Sequence, residues 1–149
     1  MDIKEKRILV SLIGSVLVFL FYALYVYNKH IAGSPEIIND FQFWGKAFLF
    51  MIPVAIVAQI IIHIILAIIA KITTNEDLDI IDDERDKLIE LKSVKISHYI
   101  FLGGFMTAMI WLAIGAQPGL MFILIFSSGF IASTVSEMAR LYYYRKGIK

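Results

Sequence analysis

The chain is 149 residues long, 59% hydrophobic and 18% charged, with a formal net charge of +1 and a mean hydropathy of +0.76. A soluble domain of this length keeps too much surface wet to hide that much hydrocarbon, and a disordered chain is polar and charge-rich. Nine glycines, three prolines and no cysteine exclude collagen, a disulfide scaffold and a cysteine-based zinc module, which leaves an integral membrane protein.

A helix of about 20 apolar residues crosses a hydrocarbon core of roughly 30 Å. Residues 8–27 form the first such run, uncharged and longer than a signal-peptide core, so it reads as a retained helix. Residues 28–46 make a short connection with a turn at Gly33-Ser34-Pro35 and a helix restart at Asp40-Phe41, enough to cap the bundle and too little for a folded domain. The second run, 47–70, is also uncharged, and Pro53 inside it removes a backbone donor and predicts a kink. Residues 71–95 are the one clearly non-membrane piece. From Glu76 to Asp86 they carry seven acidic residues against Arg85 alone, with Asp82 or Asp83 suited to cap a helix that runs on into the third span, 96–115. Ala116-Gln117-Pro118-Gly119 is a tight hairpin that makes spans three and four antiparallel neighbours. The fourth span, 119–143, alone holds formal charge within its apolar stretch, at Glu137 and Arg140. None of these runs alternates apolar with polar residues as a lipid-facing strand does.

The expected fold is therefore all-α, a single polytopic membrane domain over 1–149 with four transmembrane helices in an antiparallel bundle. Lysine and arginine gather on one side: 12 fall at the two termini and in the central connection, against Lys29 and Lys46 on the other. Positive charge stays in the cytoplasm, so both termini and the 71–95 segment are expected there, in a multi-pass protein of the cell's inner (plasma) membrane. Tyr22, Tyr25, Tyr27, Phe43 and Trp44 on one side, and Tyr99 and Tyr142-Tyr143-Tyr144 on the other, suit the two interfaces.

Polar groups inside such helices are costly and mark function. His63 lies eight residues before Lys71, Glu137 eight before Arg145, and each is about 12 Å along its helix from that basic residue at 1.5 Å per residue. Gln59 shares the His63 face, and Arg140 is three residues from Glu137, so His63, Glu137, Arg140 and Gln59 are expected to form an inner-leaflet polar cluster. The plainer alternative is a Glu137–Arg140 pair near the interface, with His63 as an interhelical hydrogen-bonding group. A second candidate is a docking surface made of Asp82, Asp83, Glu84, Arg85 and Asp86, whose acidity would steer a basic partner. Small residues such as Gly104, Ala108, Gly129 and Ser133 permit close helix approach. The chain has no catalytic motif, no metal-ligand spacing and no cofactor fingerprint, and the acidic run lacks the glycine and spaced glutamate of an EF-hand.

The segment Asp83-Glu84-Arg85-Asp86-Lys87-Leu88-Ile89-Glu90-Leu91-Lys92-Ser93 resembles that of uncharacterised small bacterial four-helix integral membrane proteins, which carry D-E-R-[DE]-x-x-I-x-x-[KR]-[AS] before the third helix. Those proteins often end in an aromatic-basic string like Leu141-Tyr142-Tyr143-Tyr144-Arg145-Lys146-Gly147, so the likeness covers the C-terminal half. The resemblance implies a bacterial membrane location, a four-helix layout and, in some members, company with a small helix-turn-helix regulator.

The expected function is a non-enzymatic regulatory or interaction protein, with no catalytic residues, metal or cofactor. It docks a basic cytoplasmic protein through its acidic central segment, has the lipid bilayer around it and a second copy as a further candidate partner, and makes no direct contact with nucleic acid. The alternative expectation is a small proton-coupled transporter or exporter that uses the His63, Glu137 and Arg140 cluster.

Overall fold

The computed structural model describes residues 3–74 and 83–147. Among them there is no strand, and four helices dominate: α1 (Ile3–Val26), α2 (Phe41–Thr74), α3 (Glu84–Ala113) and α4 (Pro118–Lys146). Each is long and apolar enough to cross a membrane. A π-helical turn, Tyr27–Ile31, and a 3-10 helix, Pro35–Asn39, join α1 to α2.

The ends of the helices follow from local chemistry. Asp40 accepts from the backbone N–H groups of Gln42 (2.8 Å) and Phe43 (3.3 Å), satisfying two otherwise orphaned donors at the start of α2. α3 opens on a capping box: the Asp83 carboxylate accepts from Asp86 N–H at 2.7 Å, and Asp86 accepts in return from Asp83 N–H at 3.1 Å. Ile114 and Gly115 close α3, and the φ of +84° at Gly115 is the left-handed geometry that favours glycine. Pro118 then starts α4, where a missing N–H costs nothing. The helix start expected near Asp83 is thus observed, and every helix runs beyond its apolar stretch.

Packing order differs from chain order. Among the described residues α3 packs its backbone against α4 alone, while α1 packs against both α2 and α4, which also touch each other. Among the described residues the backbones of α2 and α3 do not meet. The α3–α4 contact is close because small residues face each other: a Cβ on Gly104 would collide with the Ser128 side chain, and Ala108 and Ala132 are buried beside this crossing. Gly14 gives α1 the same closeness to Ile62 of α2. The 3-10 helix bridges two elements: Trp44 Nε1 donates to Ile38 O at 2.7 Å, and Gly119 at the start of α4 lies against that same carbonyl.

The interior is small. Ile8, Val26, Trp44, Ile89, Ala108 and Ala132 are the buried apolar residues among those described, while side chains as large as Leu49, Phe50 and Ile72 are two-thirds or more exposed. α2 presents isoleucine and valine on almost every side. Such a surface needs an apolar surrounding, which a bilayer supplies.

Candidate functional site

Polar side chains converge at the end of the molecule where α1 and α3 begin and α4 finishes, here called the basal end. On α1, Lys4, Arg7, Ile8 and Ser11 recur at helical spacing, so one face carries all four. Gln59 and His63 share a face of α2, and Glu137, Arg140 and Tyr144 share a face of α4. Those faces, together with Glu90 of α3, line one cavity of about 420 Å³.

Several bonds order its walls. Ser11 Oγ donates to Gln59 Oε1 at 3.2 Å, tying α1 to α2. Arg140 Nη1 donates to both Glu137 oxygens, at 3.1 and 3.4 Å, whereas Arg140 Nε is buried with no hydrogen-bond partner among the described residues. At the lip, Asp86 receives the Lys4 ammonium and the Tyr144 hydroxyl, the latter at 2.7 Å. Arg145 pairs with Glu5 at 3.4 Å, a second strap between α1 and α4. Asp86 lies ten residues before Ile96, below the apolar stretch of α3. Burial alone would raise its carboxyl pKa. The hydrogen bonds from Lys4, Tyr144 and Asp83 N–H, with the Lys4 charge, outweigh that and hold it well below the ordinary carboxylate range.

Deeper between α1, α2 and α4 lies a second cavity of about 240 Å³, lined by Ser15, Val18, Met51, Ala55, Ala58, Gln59, Phe130 and Ser133. Gln59 belongs to both spaces. Beyond it the aromatic rings close up. Phe130 stacks on Phe19 at 3.8 Å, Phe19 lies 5.5 Å from Phe126, and Phe126 stacks on Phe48 at 4.7 Å. The series continues through Trp44, Phe43 and His30 to Tyr25. A third cavity, about 490 Å³ and mostly apolar, opens near that far end between Tyr22, Tyr25, Phe43 and Phe50.

The structure brings His63, Gln59, Glu137 and Arg140, the residues singled out from the sequence, to the same cavity. Sequence reasoning missed Lys4, Arg7, Ser11, Glu90 and Tyr144. Their signal is present in the helical spacing of 4, 7, 8 and 11 and of 137, 140 and 144, but for the basic ones it coincides with the charge bias that marks sidedness.

The acidic segment fares differently. Asp82 and most of the acidic run lie outside the described residues. Asp83 is exposed and works as the cap of α3, and Glu84 and Arg85 are exposed. Asp86 is corrected: at 7% exposure, with both carboxylate oxygens engaged by Lys4, Tyr144 and Asp83, it faces into the fold and offers nothing to a docking partner. Among the described residues no group of three His, Asp or Glu side chains could hold a metal ion. No protein-family model, no curated protein and no solved structure matches the chain.

Proposed function

We propose that the chain is a four-pass protein of the bacterial inner membrane, its helices antiparallel and both termini cytoplasmic, and that it moves a small solute through the basal cavity in exchange for protons. The sidedness rests on the 12-to-2 bias of basic residues. The meeting of Lys4, Asp86 and Tyr144 supports antiparallel packing, because it joins the first turns of α1 and α3 to the last turns of α4. The working site is favoured by one observation above the others: all four helices turn polar side chains into a single cavity, and His63 and Glu137 line it inside otherwise apolar runs. Ionisable groups are kept at such depth where they carry protons or bind charge. In this reading His63 and Glu137 exchange the proton, and Arg140 holds Glu137 in place.

The test uses purified protein in vesicles that enclose a pH-sensitive dye, given a panel of small solutes. Solute-dependent proton movement is expected in the wild type, reduced at least tenfold in Glu137→Gln and in His63→Ala. Movement no faster than in protein-free vesicles across the whole panel would overturn the transport reading.

A second reading, a non-enzymatic docking protein, keeps a narrower basis. Glu84 and Arg85 are exposed at the start of α3, with Leu88 and Leu91 exposed just beyond them, and this stretch lies below the span where a basic cytoplasmic protein could reach it.

A further inference from the structure

The two cavities that meet at Gln59 differ in chemistry. The basal one is charged, with Lys4, Arg7, Arg140, Glu90 and Glu137 in its walls beside the imidazole of His63. The deeper one has no charge. Apart from Gln59, Ser15 and Ser133, its walls are Val18, Met51, Ala55, Ala58 and Phe130. Ser15 directs its hydroxyl to the Leu12 carbonyl at 3.0 Å, which leaves the chamber less polar still. Phe130, one of those walls, stacks on Phe19. A charged space and an apolar one thus lie on either side of Gln59.

Its charge balance points to a sign. Lys4 is engaged by Asp86, and Glu137 is engaged by Arg140. Among the described residues Arg7 makes no ion pair, and the buried Arg140 Nε has no hydrogen-bond partner. A buried donor without a partner is costly, and an acceptor that reaches it removes the cost. Donors of a guanidinium type suit carboxylate, phosphate or sulfonate oxygens. Glu90 opposes a second negative charge and so favours a monoanion.

We propose that the joined cavities bind an amphipathic monoanion, its head group between Arg7 and Arg140 and a short unbranched chain in the chamber beyond Gln59. This rests on the reading of the basal cavity as the working site and names the class of molecule that site takes. The same head-and-chain chemistry belongs to a membrane lipid and to a free alkyl acid.

The probes are butane-, hexane- and octanesulfonate, whose heads stay ionised and which cross bilayers poorly. Binding to the full chain in phosphatidylcholine nanodiscs is measured by equilibrium dialysis against empty nanodiscs. Saturable binding is expected to tighten about fourfold for each methylene that enters the chamber. Arg7→Gln is expected to weaken it at least tenfold, and Ala58→Leu to shift the preferred chain to a shorter one without weakening butanesulfonate. Ala58→Leu changes selectivity and leaves the charged residues in place, so it keeps the test decisive if Arg7→Gln fails to fold. Displacement by phosphatidylglycerol would support the site with lipid as its source, and retention beside that lipid would support it with a free amphiphile as its source. Absence of saturable binding, indifference to chain length, or equal binding of octyltrimethylammonium would overturn the proposal. Saturable sulfonate binding without solute-coupled proton movement sinks the transport reading and spares the site, whereas proton movement without sulfonate binding does the reverse.

Discussion

Asp86 shows how far one side chain's role can depart from that of its neighbours. Four carboxylates within five positions, 82–86, look alike in the sequence, yet of the three described, Asp83, Glu84 and Asp86, Asp86 alone is buried against α1 and α4. There it accepts from Lys4, Tyr144 and Asp83 N–H and links α3 to α1, whose backbones do not pack. Replacing it by asparagine removes the charge that the Lys4 ammonium meets on α3. Asp86→Asn is expected to destabilise the detergent-solubilised protein by about 1–3 kcal/mol, read as a lower melting temperature. The pH dependence has a definite sign. The folded carboxyl pKa is lowered beneath the unfolded value of about 3.9, so the stabilisation is complete above that pH and disappears as pH falls through and below it. Wild-type melting temperature is therefore expected to drop on going from pH 5 to pH 3, and Asp86→Asn to lose part of that drop. Glu84→Lys, at an exposed site two residues away, should leave stability nearly unchanged. On the docking reading it removes crosslinked capture of a basic cytoplasmic partner, and unaltered capture would count against that reading.

At the scale of elements, close approach of α3 and α4 depends on what is absent from Gly104. A methyl there would collide with the Ser128 side chain, while a methyl on Gly103, one residue back and facing away, meets nothing within 4 Å. Gly104→Ala is expected to cost about 1–3 kcal/mol by overpacking. Gly103→Ala should be neutral or stabilising by up to about 1 kcal/mol, because alanine loses less backbone entropy in a helix. Chemical unfolding of the two variants in detergent separates them, and adding Ser128→Gly to Gly104→Ala should restore most of the loss. Equal effects at the two glycines would show that α3 and α4 do not meet at this crossing. Gly104 and Ala108 were legible as a small-residue face, since their spacing alone gives it. The hairpin at Ala116–Gly119 likewise marked α4 as the neighbour of α3, whereas Ser128 as the residue that Gly104 meets was not legible, because spacing does not fix the register of two helices. The start of α3 was legible for a different reason. Hydropathy marks where a span is apolar, as at 96–115, whereas the Asp83 cap and the charged first turns of α3 continue the helix into water.

For the whole molecule, the balance between lipid-facing surface and polar cavity is what the sequence carried most clearly. Long uncharged runs identify spans, and an ionisable group inside one stands out because it is expensive there. That is why His63, Gln59, Glu137 and Arg140 could be picked out and why they line one cavity. Lys4, Arg7, Glu90 and Tyr144 sit near helix ends, where charge is cheap, and only three-dimensional packing separates a cavity wall from a topology signal. The same charges carry the last expectation. If the 12 basic residues lie in the cytoplasm, the basal cavity opens there and the 3-10 helix caps the opposite face. The chain has no cysteine, so single reporters can be placed without altering a native thiol. Ala32→Cys and Glu36→Cys, both exposed in the α1–α2 connection, should react with a membrane-impermeant maleimide on intact cells. Glu84→Cys and Lys146→Cys, exposed at the basal end, should react only after permeabilisation. Reversal of that pattern would place the cavity mouth outside the cell and convert the proposed exchange into uptake from that side. Labelling of all four on intact cells would instead mean that the helices do not hold one orientation, and a proton gradient of fixed sign could not then drive net movement through the cavity.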